Sequence, residues 1–243
     1  MTEGKPLLIS GQSCRMAERI SLALAIKGLS FRTAEASALK EEYSALSRFI
    51  EQGFPLLLTG KDGAAGWVTA LDLLEKTKPE PSLFPNSNRG MPIALSFWSE
   101  HAASGPHHAG LGNPHADLVA RQLTDGRAFL QGDAPGLADI ESYIAVRHTS
   151  KDDHPLLVSS WMKKMTGLKK SVASEPVEVR QVGYYLQNLE PVSRPGKEVI
   201  GPLADALPAG LKLYSQENSA LNIAFPFDGK SKSLAISAVD LDR

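Results

Sequence analysis

Pro6-Leu7-Leu8-Ile9-Ser10 is a short apolar run closed by Gly11, and it reads as a buried strand. From Cys14 to Lys27 the pattern turns helical. Met16, Ile20, Ala23, Leu24 and Ile26 recur at about helical spacing, while Arg15, Glu18 and Arg19 mark a wetter face. Ser13 suits the N-cap, where a hydroxyl accepts a free amide, and Gly28 suits the left-handed residue that ends a helix. Leu29 to Thr33 then alternates apolar and polar residues as a second strand. Strand, helix and strand within about thirty residues is the size of a right-handed parallel crossover. An α/β unit opens the chain.

Downstream, Glu35 to Gln52 is charged and weakly helical, and Gly53 stops it. Pro55-Leu56-Leu57-Leu58 is a strand with proline at its first residue, where a strand tolerates it. Lys61-Asp62-Gly63 signals a turn, so Ala64 to Val68 returns as an antiparallel partner. Thr69 to Lys76 is a short helix, closed by Pro79 and Pro81. Beyond Pro85 the periodicity is helical: Ile93 to Ala103, His115 to Leu130, the more apolar Leu137 to Val146, and Pro155 to Met165 with Trp161 on its apolar side. Between them, Ser104 to Pro114 is a loop rich in Gly and Pro. From Pro191 the chain is rich in Pro and Gly, and Leu211, Leu213, Leu221, Ile223, Phe225, Leu234 and Ile236 then mark short strands.

The composition narrows the function classes. In 243 residues the formal net charge is -1, hydrophobic residues make up 42% and charged residues 22%, an ordinary globular mixture with ample core. That balance supplies no global field for nucleic acid or acidic membranes. Nor does any run approach the roughly 18–20 apolar residues that span a bilayer. A single cysteine forms neither an internal disulfide nor a four-thiolate zinc site. A soluble cytoplasmic protein is expected, with no nucleic-acid or membrane partner.

Cys14-Arg15-Met16-Ala17-Glu18-Arg19, followed by Leu22, Leu24 and Lys27-Gly28-Leu29, resembles the first helix of the omega-class glutathione transferases, which carry Cys-Pro-Phe-Ala-Glu-Arg at the same distance from a Lys-Gly pair. Phe54-Pro55-Leu56-Leu57 looks like the Val-Pro strand start of that superfamily, whose proline is cis, and Asp62-Gly63 matches its hairpin turn. Asp125 to Ile140 is similar to the stretch that leads into the buried helix of the superfamily's all-helical domain. Residues 5–165 carry the resemblance, through the order and spacing of several motifs. This sequence departs from the pattern in three places. Arg15 replaces the proline after the cysteine; Val68-Thr69 replaces the acidic-Ser pair that receives the γ-glutamyl end of glutathione; and Gly136 replaces a capping Ser or Thr, leaving Asp139 without its reciprocal partner.

The resemblance implies an α/β thioredoxin-like N-terminal domain, residues 1–80, that binds glutathione. An all-α domain, 88–190, follows, and 191–243 is an extension outside the resemblance, read as a small β element. It also implies glutathione as co-substrate, an apolar electrophile or a disulfide as second substrate, a homodimer, and a role in detoxification or redox exchange. Cys14 falls where the omega class has its catalytic cysteine, with Ser13 beside it as a second catalytic candidate. Phe54, Pro55, Val68 and Thr69 fall where glutathione is bound.

Elementary chemistry supports a reactive Cys14. The first turn of a helix presents unsatisfied amides and the positive end of the dipole, and both favour thiolate over thiol. Arg15 or Arg19 would add to this by turning toward the sulfur. A thiolate there attacks a glutathione mixed disulfide, whereas a serine would instead support conjugation. The alternative is a small apolar filler beneath the strand. Thr69, at a helix start, offers a hydroxyl and an amide to a carboxylate, or is simply an N-cap. His101, His107, His108 and His115 lie close together in sequence, but without a cysteine partner or a helical His pair they read as solvated loop residues, and no metal site is expected. Trp67, Trp98 and Trp161 read as core. The competing function is a glutathione transferase-like binding or regulatory protein without catalysis.

Overall fold

The computed structural model describes residues 4–85, 90, 92, 94–95, 114–149, 154–190, 196–216 and 220–241. It divides into two compact units: residues 1–21, 29–77 and 173–243 form the first, and 22–28 and 78–172 the second. The boundary expected at 190 thus falls at 172. Residues 173–243 are no separate element but the other half of the first unit's sheet.

The crossover read from the opening residues is present. Strand β1 (Leu7–Ser10), helix α1 (Arg15–Ile26) and strand β2 (Phe31–Glu35) come first, and Leu7 faces Arg32 in a parallel ladder. A 3₁₀ turn (Ala36–Leu39) and helix α2 (Ser44–Glu51) lead to β3 (Leu56–Thr59), antiparallel to β1 with Leu8 opposite Leu57. A two-residue connection, Gly60-Lys61, returns the chain as β4 (Asp62–Ala65), and helix α3 (Trp67–Thr77) follows. Gly60 has φ of +60°, which a tight hairpin needs and a side chain resists. The turn therefore sits one to two residues earlier than Lys61-Asp62-Gly63 suggested.

After the second unit, the chain adds β5 (Ser174–Pro176) beside β2. It then forms helix α7 (Val179–Asn188), strand β6 (Lys197–Glu198), the short helix α8 (Pro202–Asp205), strands β7 (Lys212–Ser215), β8 (Leu221–Phe227) and β9 (Lys230–Ile236), and the four-residue helix α9 (Ala238–Leu241). Strand β9 pairs in parallel with β4, so the nine-stranded order is β5-β2-β1-β3-β4-β9-β8-β7-β6. An exposed strand edge is a row of unpaired backbone groups, and residues 173–243 cover two such edges, those of β2 and β4. One hydrophobic core runs beneath the sheet from β1 to β7. Leu7, Ile9, Leu56 and Leu58 share it with Phe49 and Ile50 of α2, Val182 and Leu186 of α7, and Ile223, Phe225, Leu234 and Ile236 of the later strands. Residues Asp228 and Gly229, with φ of +47° and +69°, make the β8–β9 turn. Lys232, almost fully buried, donates Nζ bonds to the carbonyls of Gln187 (2.7 Å) and Leu189 and so closes the end of α7.

The second unit contains α4 (Pro114–Gln122), α5 (Leu137–Thr149) and α6 (Leu156–Ser171). Asp139, fully buried in the first turn of α5, is not left without partners. Its carboxylate accepts the Gly136 amide (3.1 Å), the Leu130 amide (2.9 Å) and the Trp161 indole N–H (2.8 Å). A Cβ on Gly136 would stand 2.9 Å from the Leu83 carbonyl oxygen, so the capping Ser or Thr has no room. Burial nevertheless raises the Asp139 carboxyl above the usual range, against the pull of those three donors. Lys27, also buried, donates to the carbonyls of Lys78 (2.6 Å) and Pro81 (3.0 Å).

Candidate functional site

Cys14 stands immediately before α1, and its carbonyl accepts the first intrahelical bond, from the Glu18 amide at 3.1 Å. That makes Cys14 the N-cap, not Ser13. Ser13 sits one residue outside, at φ of +52°, in the tight turn that lets the chain enter the helix. Cys14 is half-buried and Ser13 exposed. The wet face assigned to α1 is drier than expected. Arg19 is 1% exposed, and its guanidinium lies over the Trp67 ring, 5.1 Å from the centroid. An arginine stacked on the first residue of α3 packs two helix starts together.

Topology brings the expected residues to one rim of the sheet. Strand β1 ends at Ser10 and β3 begins at Leu56, which faces Ile9, so Pro55 and the turn leading to Cys14 share an end. Ala65 faces Leu56, so β4 leaves at that end too and passes through Gly66 into α3 with Val68 and Thr69. The carboxyl ends of strands are where α/β sheets generally place ligands. The Phe54–Pro55 bond, cis in the resemblance, is not cis here. Pro55 is buried, its carbonyl accepts the Gly66 amide at 2.9 Å, and Phe54 stacks on Phe49 with ring centroids 4.6 Å apart. Packing on one side and a backbone bond on the other hold this segment.

One residue joins the rim that sequence reasoning missed. Because β9 runs parallel to β4, with Ala65 opposite Ile236, it leaves the sheet beside β4, and α9 then sets Asp240 at the start of α3. The Asp240 carboxylate accepts the Val68 amide (3.2 Å), the Thr69 amide (3.1 Å) and the Thr69 hydroxyl (2.8 Å). It is 3% exposed. Gly66, at φ of +82°, makes room: a Cβ there would stand 2.6 Å from each carboxylate oxygen. Thr69 thus meets a carboxylate, as its position suggested, and the carboxylate is the chain's own. No motif in the sequence marks Asp240.

The remaining candidates divide. Trp67 and Trp161 are core, at 3% and 1% exposure, while Trp98 lies outside the described residues, as do His101, His107, His108 and most of 93–113. His115 is no solvated loop residue: it is buried in α4, and burial lowers its pKa to about 4. Among the described residues no group of His, Cys, Asp and Glu could hold a metal, and no helix is long and apolar enough to cross a membrane.

A GST-like protein from Pseudomonas syringae matches 98% of this chain and 98% of its own, with a TM-score of 0.69 at 18% identity. The chain has the glutathione transferase fold. A glutathione S-transferase from Rhodospirillum rubrum matches 66% of this chain and 87% of its own (TM-score 0.51, 19% identity). One from the Antarctic clam Laternula elliptica matches 70% and 92% (TM-score 0.52, 15% identity). The two transferases therefore share the fold over about two thirds of this chain, whereas the Pseudomonas protein shares it throughout. No family model matches the sequence, and no curated protein does.

Proposed function

We propose that this protein is a glutathione-dependent enzyme acting through the thiol of Cys14. The observation that carries the reading is Cys14 at the N-cap of α1, half-buried, on the rim that also holds Pro55, Val68 and Thr69. The Cys14 thiolate attacks the glutathionyl sulfur of a glutathione mixed disulfide. A new S–S bond forms to Cys14, the old one breaks, and the displaced thiolate takes a proton from water. Reduced glutathione then attacks the Cys14 disulfide, giving glutathione disulfide and the free thiolate. Ser13 is a second polar group beside the sulfur, and conjugation of an apolar electrophile is the chemistry a hydroxyl would favour. A homodimeric, cytoplasmic, redox or detoxifying role belongs to the same proposal.

Turnover of a small glutathione mixed disulfide by the wild type and by Cys14→Ser tests it. Loss of about 100-fold or more in the variant is expected; retained reductase activity shows that Cys14 is not the nucleophile. A second reading, a non-catalytic binding or regulatory protein, draws on the Asp240 carboxylate already resting on the Val68 and Thr69 amides and on the Phe54–Pro55 bond that is not cis. Calorimetry decides between them: no heat of binding with millimolar reduced glutathione favours the second.

A further inference from the structure

We propose that residues 237–241 form an autoinhibitory latch, in which Asp240 occupies a carboxylate seat at the start of α3 that an external carboxylate, the γ-glutamyl end of glutathione, takes only when the latch leaves. This rests on the glutathione reading above and assigns that site its regulation. The seat is built for the group it holds. Two backbone amides and a hydroxyl converge on the two Asp240 oxygens at 2.8–3.2 Å, at the positive end of an eleven-residue helix. Gly66 supplies the space at a φ that few other residues adopt. A ligand carboxylate on Val68 and Thr69 needs the same three donors, so the two occupants exclude one another.

The holder is a short element, anchored at its far end by Leu241, which is partly buried and packs against the core. It is four residues long, too short to be a stable helix on its own, and its first bonds close locally, from the Val239 amide to the Ser237 hydroxyl (3.2 Å) and from the Asp240 amide to the Ser237 carbonyl (3.0 Å). Val239 is 44% exposed. Rotation at Ser237 would carry Asp240 off the amides and Leu241 off the core, while Ala235 and Ile236 stay paired with β4. The sheet need not open for the seat to empty. Wild-type affinity for the ligand is then the intrinsic affinity reduced by the fraction of molecules whose latch is off.

The test uses the full chain, titrated with reduced glutathione by calorimetry, alongside hydrogen exchange of the amides at 66–70 and 237–241. Asp240→Ala should bind glutathione on the order of tenfold tighter than the wild type, with Asp240→Asn between them. In the wild type, saturating glutathione should speed exchange at 239–241 while Val68 and Thr69 stay protected, a readout that needs no variant to fold. Equal affinities with unchanged exchange at 239–241 overturn the latch and leave the glutathione reading standing. Absence of binding in wild type and variants alike overturns both, leaving Asp240 as a permanent cap.

Discussion

Two buried aspartates cap helices in this molecule, and they do so in opposite ways. Asp139 reaches back within its own helix start, to Gly136 three residues earlier and Leu130 nine residues earlier, with Trp161 completing the set. Asp240 caps a helix through amides that lie 171 and 172 residues before it. Both carboxylates accept three hydrogen bonds and both are nearly sealed. Asp139 sits inside a thirteen-residue helix, packed on all sides, whereas Asp240 sits in a four-residue turn beside an exposed valine. The first is held within one stretch of chain; the second depends on a separate short element, whose Leu241 packs against the core.

Substitution at the two caps should separate them. Asp139→Ala should be the most damaging change, about 3–4 kcal/mol, because it strands two amides and an indole N–H in the interior; urea unfolding measures it. Next is acid. His115 is neutral in the fold with a pKa lowered to about 4, so the unfolded chain protonates first as pH falls below 6.5. Its contribution, up to about 3 kcal/mol, is full above pH 6.5, declines as pH drops, and is gone below about 4. A His115→Gln variant should show a shallower fall of unfolding midpoint over that interval.

Gly66→Ala should cost about 2 kcal/mol, part from the positive φ and part from the collision with the Asp240 carboxylate. In an Asp240→Ala background only the φ part should remain, and a double-mutant cycle would read the difference. Asp240→Asn should cost about 1 kcal/mol, well short of the loss at Asp139. A loss as large as that of Asp139→Ala would erase the difference between the two caps. Smallest of all is Lys61→Met. The Lys61–Glu190 pair (2.6 Å) is exposed, and its removal should leave the unfolding midpoint unchanged at physiological salt.

The same contrast explains what could be read from the residues. Local patterns were legible: the Leu7-to-Glu35 crossover, the Leu56–Ala65 hairpin and the buried α5 all announce themselves over short stretches of chain, through periodicity and turn chemistry. The short strands around Leu213, Ile223 and Leu234 were legible as strands, yet nothing in them says that they extend the first sheet. Edge pairing is carried by backbone groups, which every sequence has. Helix α7 and strand β5 went unread, although Val182, Tyr185, Leu186 and Leu189 keep helical spacing. At the rim, Cys14, Pro55 and Thr69 were found by their places at element starts. Asp240 was not, because its role depends on a neighbour brought by register alone.

The two-sided bracing of the sheet has a consequence for how the chain is made. Leu7 to Ala65 leave the ribosome long before Ser174 and Ile236, the partners of Phe31 and Ala65, have been synthesised. Until then two strands of the nascent polypeptide have an open side, the circumstance in which intermolecular pairing competes with folding. Contacts spanning most of the chain also predict slow maturation, with the final ordering step delayed until Lys230 to Ile236 are free to dock.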